Sequence, residues 1–400
     1  MFGSKFYINN RKKLLSLLPE DALVIITANG LMQRSADTTY SFQQDSNFWY
    51  LTGVDEPDVV LVMSVNEQFL ILPKRSDTED IFSGRLNCDE IAKTAGINLI
   101  YEYSEGWARY KIMQKSRKTI HTIFAPPSKI ILTDSFYTNQ SRSRLVQKLR
   151  RYNNMIALED VRGILTEMRQ VKQPMEVRAI QRAIHITESA FEKVKTILSP
   201  GVAEYELEAE ITRVFISQQA THAYQPIIAG GTRACTLHYI KNNQILAEDD
   251  LCLIDIGAQY AHYAADITRT LPVNGPMSKR QQLVFEAVNR VHKFATSIIK
   301  IGLPWKEYNM QIQHYMGEEL IKLGLITNNT SEEVRRYFPH SVSHSLGLDV
   351  HDVCDYKIMQ DGMVITVEPG IYIPEEGIGI RIEDDVLITS MGARNLSTMI

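Results

Sequence analysis

Residues 340–352 read HSVSHSLGLDVHD, and two further stretches follow closely, residues 364–372 (VITVEPGIY) and residues 377–385 (GIGIRIEDD). The first stretch holds three of the ten histidines, and acidic residues interrupt the β-branched runs of the other two. A buried carboxylate is unfavourable unless it is paired or bound to metal. These stretches therefore predict a metal site, and its remaining ligands should lie elsewhere in the chain.

The composition limits the classes of protein and partner. With 400 residues the chain exceeds the usual size of a single core, which indicates two domains. A net charge of -4 argues against nucleic acid as the main partner, because phosphate binding depends on clustered lysine and arginine. The four cysteines lie far apart without a Cys-x-x-Cys pair, which favours a reducing compartment. With no signal peptide and no long apolar run, we expect a cytoplasmic protein that does not bind a membrane.

The two predicted domains are residues 1–168 and residues 169–400. The first alternates strand-like and helix-like segments without an acid or histidine cluster, so we interpret it as a smaller α/β scaffold domain. In the second, apolar spacing predicts helices from Met175, over residues 204–220 and over residues 278–301. Its strands come in pairs between helices, which predicts an α+β fold with antiparallel or mixed sheets.

A pair of aspartates occupies the first predicted hairpin of the second domain. Asp255 lies in a strand that begins at Leu251, and Asp266 lies in the strand that follows. If the turn is centred on residues 260–261, residues whose numbers sum to 521 lie opposite each other, and 255 plus 266 is 521. Opposed residues share one face of an antiparallel pair, so both carboxylates would project together.

The last two strands carry a second acidic pair. A turn centred on residues 375–376 opposes residues whose numbers sum to 751, which pairs Glu368 with Glu383. Each hairpin would thus present two carboxylates, and four carboxylates without a cation would repel one another. Asp384 and Asp385 directly follow Glu383, and we interpret them as residues of the strand end without a ligand role.

Two divalent ions would neutralise this acidic group. With His344, the four carboxylates form a set of donors that favours Mn²⁺, Co²⁺, Fe²⁺ or Zn²⁺ over calcium, and the richness in carboxylates favours manganese. Two ions in such a site share a water whose pKa is lowered, which creates hydroxide near neutral pH. The predicted reaction is therefore metal-assisted hydrolysis.

These motifs resemble a known family. Residues 340–352 match the signature of the proline-specific peptidases of the pita-bread fold, which also includes methionine aminopeptidases. Residues 377–389, GIGIRIEDDVLIT, look like the Xaa-Pro aminopeptidase (aminopeptidase P) branch, and the first domain resembles that branch more weakly in residues 34–37 (RSAD) and 47–53 (NFWYLTG). The resemblance implies an aminopeptidase P-like N-terminal domain followed by a C-terminal pita-bread (creatinase/methionine aminopeptidase-like) catalytic domain.

In the family's pattern, five ligands hold two divalent ions per chain. By this resemblance Asp255 would hold one ion, and His344 and Glu368 would hold the other. Asp266 and Glu383 would bridge both ions. Every ligand position of the pattern is filled in this sequence. A non-catalytic binding module of the same fold, or a metal-free creatinase-type hydrolase, would normally have lost metal ligands, so the filled set speaks against both.

Further roles follow from the resemblance. His238 and His351 would contact the scissile carbonyl and the substrate backbone, which makes them catalytic and substrate-binding residues. His340 would line the pocket for the proline ring, and Arg381 matches an arginine that orients a metal ligand and so supports catalysis. Glu368 is the carboxylate that we expect to relay a proton from the bridging water, because a ligand there would touch that water.

We therefore predict a dimetal exopeptidase that uses a metal-bridging hydroxide to release the N-terminal residue from peptides whose second residue is proline. An Xaa-Pro dipeptidase (prolidase) stays open as the alternative, while methionine aminopeptidases usually lack a matching first domain. A strict dipeptidase needs a fixed cation for the C-terminal carboxylate of its substrate. Residues 340–352 contain no such cation, and Arg381 shares a strand face with Glu383, so we expect a site open to longer peptides.

The expected assembly is a homodimer or a homotetramer, and this expectation rests on the resemblance. Relatives in this branch form dimers or tetramers in which the first domain of one subunit approaches the active site of another. The aromatic residues 48–50 and the segment 82–85 are candidates for that contact. A place in the core of the first domain is the alternative for these side chains.

Overall fold

The computed structural model describes residues 2–125 and 139–397. The chain divides into two units, Met1–Met168 and Arg169–Ile400. Within the described ranges, none of the helices combines the length and the apolar character needed to cross a membrane.

The first unit contains a mixed β-sheet and several helices. Its described strands are β1 (Val24–Thr27), β2 (Gln33–Ser35), β3 (Thr38–Thr39), β4 (Val60–Met63), β5 (Gln68–Ile71), β6 (Ile100–Tyr101), β7 (Thr119–Thr122) and β8 (Ala157–Asp160). Its helices are α1 (Ser4–Ser16), α2 (Ser46–Thr52), α3 (Asp77–Ser83), α4 (Cys88–Ala95), α5 (Tyr103–Gln114), α6 (Gln140–Tyr152) and α7 (Arg162–Gln170), which contains the division between the units. The main sheet has the order β6-β5-β4-β1-β7-β8, in which β4 is antiparallel to β1 and β5 and the other neighbours are parallel.

The two aromatic segments singled out in the sequence behave differently in this unit. Phe48, Trp49 and Tyr50 are buried on α2, so the expectation that residues 48–50 contact a neighbouring subunit is wrong and the core alternative is right. Phe82, in contrast, lies on α3 with 84% of its surface exposed. A large apolar side chain that is this exposed is available for an intermolecular contact.

The second unit combines long helices with small antiparallel sheets, in agreement with the predicted α+β class. Its described helices are α8 (Pro174–Ile197), α9 (Glu204–Ser217), α10 (Lys279–Ser297), α11 (Trp305–Lys322) and α12 (Ser331–Tyr337). Its strands are β9 (Thr221–His222), β10 (Ile227–Gly230), β11 (Leu251–Ile256), β12 (Ala258–Tyr260), β13 (Tyr263–Ala264), β14 (Ile267–Pro272), β15 (Val364–Val367), β16 (Gly370–Ile373), β17 (Ile378–Arg381), β18 (Asp384–Thr389) and β19 (Gly392–Asn395). The sheets are β10-β11-β14, β13-β12-β9, β15-β18-β19 and β16-β17.

Local signals account for where the long helices of this unit begin. Helix α8 starts at Pro174, and Glu176 accepts a hydrogen bond from the backbone nitrogen of residue 173, as in a capping box. Ser278 caps α10 by accepting from the backbone nitrogen of Gln281 at 3.2 Å. Helix α9 ends three residues before the predicted position, because Gln219 adopts a left-handed backbone conformation with φ 59°.

The first predicted hairpin exists, but its register differs from the prediction. The turn is centred on Ala261 and His262, both with positive φ, and Asp255 pairs with Thr268 rather than with Asp266. Two left-handed turn residues match the right-handed twist of the flanking strands, which explains the one-residue displacement of the turn. Since the pairing moves by two positions, Asp266 still lies on the same face as Asp255, as its diagonal neighbour.

The second predicted hairpin has the predicted register. Gly370 pairs with Arg381 in the β16-β17 ladder, and Val367 pairs with Asp384 in the β15-β18 ladder. Each of these pairs sums to 751, so the acidic residues at positions 368 and 383 face each other where the two ladders are interrupted. Residues 368 and 383 therefore lie outside the paired strands, where side chains would alternate between the two faces of the sheet.

Candidate metal centre and active site

Four of the five predicted metal ligands lie together around His344. The Nε2 atom of His344 lies 3.3 Å from Asp266 Oδ2 and 3.6 Å from Glu368 Oε1. Glu383 joins them, because one ligand atom each of Asp266, His344 and Glu383 lies within 4.8 Å of the other two. The carboxylates come from breaks in two hairpins, and the histidine comes from the loop before β15, so three separate segments build this group.

Asp255, the fifth predicted ligand, is linked to this group by Tyr224. The hydroxyl oxygen of Tyr224 lies 2.6 Å from Asp255 Oδ1 and 2.5 Å from Asp266 Oδ1, so its single proton can be donated to either carboxylate. Burial, and then the charges of the two aspartates, raise the pKa of Tyr224 well above its ordinary value, so the hydroxyl keeps its proton. Tyr224 could not be predicted from the sequence, because a single tyrosine ahead of β10 matches no local pattern.

Thr268 and Arg381 support the carboxylates from the neighbouring strands. Thr268 Oγ1 donates to Glu383 Oε2 at 2.6 Å and accepts from Arg381 Nε at 3.1 Å. Arg381 Nη2 donates to Asp255 Oδ2 at 2.5 Å, so this arginine contacts one of the predicted ligands directly. Thr268 was also missed, although its pairing opposite Asp255 would have revealed it once the register was known.

The four carboxylates among the predicted ligands outnumber the positive charge that His344 can supply. Burial raises the pKa of Glu368 to about 7 and also raises the pKa of Asp266. Burial, followed by repulsion from Asp266, raises the pKa of Glu383 well above its ordinary value. Burial lowers the pKa of His344, but its hydrogen bond to Asp266 and the charge of Glu368 outweigh this effect and raise the pKa to about 9. A cation placed here would relieve this mutual repulsion.

The donor set fits divalent metal ions. Carboxylate oxygens with one imidazole nitrogen are ligands that Mn²⁺, Fe²⁺, Co²⁺ and Zn²⁺ accept in proteins. Asp266, His344 and Glu383 already bring their ligand atoms to within 4.8 Å of one another, and their side chains are largely removed from solvent. Asp266, His344 and Glu383 could therefore hold a metal ion together, and Glu368 lies next to them, 3.6 Å from His344 Nε2.

His340 lies beside the carboxylates, in contact with Tyr372. Its Nε2 atom is 2.9 Å from the hydroxyl oxygen of Tyr372, and this oxygen accepts a hydrogen bond from Arg381 Nη1 at 2.9 Å. Burial, and then the positive charge of Arg381, lower the pKa of His340 to about 4. His340 is therefore an uncharged, partly apolar ring near neutral pH.

His351 lies next to His344, and His238 interacts electrostatically with His351. The ring centre of His351 is 4.3 Å from that of His344. Burial, and then the charge of His344, lower the pKa of His351 to about 4, so its ring is uncharged near neutral pH. A charge on exposed His238 lowers the pKa of both His351 and His340, which places His238 within electrostatic range of both.

The segment that carries His238 is folded around a buried carboxylate, Glu204. This side chain has no exposed surface, and its two oxygens accept four hydrogen bonds. The donors are the backbone nitrogens of Gly230 and Gln244 at 3.0 Å each, Arg233 Nε at 2.8 Å and the Tyr239 hydroxyl at 2.8 Å. Glu204 could not be predicted as a buried residue from the sequence, because an acidic residue in the first turn of a helix normally indicates a solvated helix end.

Asp385 contacts the backbone of a predicted ligand residue directly, and Asp384 does so through Arg269. Asp385 Oδ2 accepts from the backbone nitrogen of Asp266 at 3.1 Å. Arg269 joins Asp384 to the site, because it donates to Asp384 Oδ1 and to the backbone oxygen of Glu383, each at 2.5 Å. These two aspartates thus help to fix the backbone of the predicted ligands Asp266 and Glu383. The sequence did not indicate this role.

Comparison with known proteins agrees with this arrangement. The model of metallopeptidase family M24 matches residues 178–390, and that of the aminopeptidase P N-terminal domain matches residues 7–124. The Xaa-Pro aminopeptidases of Haemophilus influenzae and Escherichia coli K12 are 33% and 34% identical to the chain, and each alignment covers 98% of this chain and 93% of the relative. The structure of E. coli aminopeptidase P with the inhibitor Pro-Leu has a TM-score of 0.87 at 31% identity, and the match covers 99% of this chain and 95% of that chain.

These similarities extend over both units of the chain and confirm the predicted fold, a pita-bread α+β domain preceded by an aminopeptidase P-type N-terminal domain. They agree with the buried group of carboxylates and histidine described above, because the matched family consists of metallopeptidases. The chain belongs to metallopeptidase family M24, with the paired domains of aminopeptidase P, and is a metal-dependent peptidase.

Proposed function

We propose that this enzyme releases the N-terminal residue from peptides whose second residue is proline. The observation that carries the proposal is the buried group of carboxylates around His344, with the uncharged rings of His340 and His351 beside it. The names of the relatives, Xaa-Pro aminopeptidases, support the same substrate class. An Xaa-Pro bond requires a dedicated site, because it lacks the N–H group that general aminopeptidases can bind.

The proposal includes two divalent ions per chain. Asp255 would hold one ion, His344 and Glu368 the other, and Asp266 and Glu383 would contact both. When bound, such ions lower the pKa of a shared water and so supply hydroxide near neutral pH. We propose Mn²⁺ as the native ion because carboxylates dominate the donor set, with Co²⁺, Zn²⁺ and Fe²⁺ as alternatives.

Glu368 and the side chains around the predicted ligands would have separate roles in proton transfer and substrate binding. Glu368 is suited to take up a proton and pass it to the leaving proline nitrogen, because a ligand at this position would touch the shared water. His351 and His238 would donate hydrogen bonds to the carbonyl oxygen of the scissile bond and to the substrate backbone. His340, packed against Tyr372, would contact the proline ring, and Arg381 would hold Asp255 in place.

We propose a site open beyond the proline, which distinguishes an aminopeptidase from a prolidase. A prolidase needs a fixed cation to bind the carboxylate of its dipeptide substrate. Two buried cations, Arg169 and Lys172, contact the loop that follows His344. Both of them already bind Asp352. Arg381 is likewise bound to Asp255. These three cations are therefore committed to aspartates of the chain itself.

The experiment is a competition between an Xaa-Pro dipeptide and the same peptide extended by one residue, at equal concentration with Mn²⁺-loaded enzyme. We expect kcat/KM for the tripeptide to equal or exceed that for the dipeptide. A preference for the dipeptide of about tenfold or more, equivalent to about 1.4 kcal/mol of transition-state binding, would favour a prolidase instead. No cleavage of either peptide by the metal-loaded enzyme would contradict the proposed function altogether.

We also propose that the chain forms a homodimer or homotetramer and works in the cytoplasm, without nucleic acid or a membrane as partner. The exposed Phe82 on α3 supports an intermolecular contact. The four cysteines, Cys88, Cys235, Cys252 and Cys354, are free thiols, as expected in a reducing compartment. The mass of the purified protein by light scattering tests the assembly, and a monomer at micromolar concentration would contradict it.

A further inference from the structure

A second group of buried charges lies in the catalytic unit, and the proposed chemistry does not use it. Its members, Arg169, Lys172, Glu176 and Asp352, are each no more than 5% exposed. Asp352 directly follows His351 in the chain. Four buried ionisable side chains outside the ligand set require an explanation, because removing charges from water is unfavourable unless a specific arrangement results.

The two cations bind both oxygens of the Asp352 carboxylate. Arg169 Nη2 lies 2.5 Å from Asp352 Oδ1 and 2.8 Å from Asp349 Oδ2. Lys172 Nζ lies 3.2 Å from Asp352 Oδ2 and 3.3 Å from Ser345 Oγ. The loop from His344 to Asp352 is thus attached to the two cations at Ser345, at Asp349 and at Asp352.

The loop is also closed on itself and on a neighbouring strand. The backbone nitrogen of Asp352 donates to the oxygen of Ser345 at 2.8 Å, and the nitrogen of Gly347 donates to the oxygen of Asp349 at 3.1 Å. The oxygen of Gly347 in turn accepts from Ala264, two residues before a metal ligand, at 2.8 Å. A Cβ atom at Gly347 would lie 2.2 Å from Asp352 Oδ2, so the carboxylate packs directly against the loop backbone.

Glu176 extends the same group towards β13. Its Oε1 atom accepts from the hydroxyl of Tyr263 at 2.9 Å, and its charge interacts with those of Lys172 and Asp352. The cluster therefore joins the start of α8, the strand ahead of Asp266 and the histidine loop. Buried ion pairs of this kind add little net stability compared with apolar packing, but they are costly to rearrange, which favours one conformation over others.

We propose that Arg169 and Lys172 are positioning residues that clamp Asp352 and thereby hold the ring of His351 against the substrate. This inference rests on the proposed function, in which His351 donates a hydrogen bond to the substrate. The clamp fixes the backbone at position 352, and the ring of the preceding residue is the group whose placement depends on it. A displacement of about 1 Å at a reacting group lowers a rate by up to about 100-fold.

The test is a mutant cycle on the Mn²⁺-loaded full chain with an Xaa-Pro-Yaa tripeptide. Lys172→Met removes the charge while keeping the length of the side chain, and Arg169 still binds the aspartate. We expect kcat to fall about 10-fold with KM changing less than about 3-fold, and with unchanged metal content. Lys357→Met is the matched control, because this lysine lies nearby in the chain, is 77% exposed and pairs with Asp355. The control should retain wild-type kcat.

The second arm repeats Lys172→Met in two backgrounds, His351→Ala and His238→Ala. If the clamp acts through His351, the 10-fold loss should shrink to less than about 2-fold in His351→Ala and persist in His238→Ala, because coupled residues are not additive. An equal loss in both backgrounds, a loss of metal that accounts for the activity, or an unchanged kcat would overturn the inference. A wild-type chain without activity would instead contradict the proposed function.

Lys172→Met leaves a buried carboxylate with one partner fewer, so a milder variant is included in the same cycle. Asp349→Asn weakens the contact of Arg169 with the loop at a side chain that is 47% exposed. We expect a smaller fall in kcat, about 3-fold, with the same dependence on His351. If Lys172→Met does not fold and Asp349→Asn leaves kcat unchanged, the clamp has no role in catalysis.

Discussion

Thr268 offers a direct way to test whether the strand behind the site tunes metal binding. Its hydroxyl donates to Glu383 Oε2 at 2.6 Å and accepts from Arg381 Nε at 3.1 Å. The change Thr268→Val keeps the branched shape and removes both hydrogen bonds. Glu383 then loses a partner that orients its carboxylate, and the expected result is weaker metal binding.

The magnitude follows from the contacts that are lost. A hydrogen bond to a charged group contributes about 1.5–3 kcal/mol. Loss of a residue that orients a metal ligand typically weakens metal binding by about 10–100-fold. On the affinity scale this range corresponds to about 1.4–2.7 kcal/mol, so the two estimates agree. We therefore expect the dissociation constant for Mn²⁺ to rise by about 10–100-fold in Thr268→Val.

The assay is calorimetric titration of Mn²⁺ into chelator-stripped protein, with Thr270→Val as the matched control. Thr270 lies two residues further along the same strand, is also buried, and donates to the backbone oxygen and accepts from the backbone nitrogen of Arg381, each at 3.2 Å. Both variants lose two hydrogen bonds, and both should lose about 1–3 kcal/mol of unfolding free energy. Only Thr268 contacts a ligand side chain.

Thr268 does not tune metal binding through Glu383 if the two variants bind Mn²⁺ equally well, or if Thr268→Val binds it as tightly as the wild type. Equal weakening would mean that general destabilisation, rather than the contact with Glu383, controls the affinity. Unchanged affinity would mean that Glu383 keeps its orientation without Thr268.

Three further predictions concern other parts of the molecule. Tyr239→Phe removes one of the hydrogen bonds to Glu204 next to His238, so kcat should fall about 2–10-fold at unchanged metal content, whereas the exposed control Tyr205→Phe should not change it. In metal-free protein the pKa of Glu368 is raised to about 7, so the protonated form of Glu368 stabilises the fold. This stability is fully present below the pKa that Glu368 has in the unfolded chain, and it is lost as the pH rises through 7. Its melting temperature should therefore fall between pH 6 and pH 8.5, and a rise would contradict the charge excess. Phe82→Asp should lower the mass measured by light scattering, and a wild-type monomer would contradict the predicted contact.

Local sequence patterns were sufficient where the deciding contacts are close along the chain. The register of the second hairpin follows from strand alternation and a short turn, and it brings Glu368 and Glu383 together as predicted. The start of α8 and the cap of α10 follow from proline and serine at suitable positions. The first hairpin was displaced by one residue, because Ala261 and His262 adopt left-handed conformations for which neither residue type is a signal.

The sequence thus indicated the residue types that form the candidate site. Acids and histidines at buried positions require a partner, and a metal ion can be the partner of several of them at once. Which other side chains hold them in place was decided only by the tertiary structure. Tyr224 reaches Asp266 across 42 residues, and Lys172 reaches Ser345 across 173. Such contacts depend on how helices pack on the sheets, and strand or helix periodicity carries no information on which distant polar groups will meet.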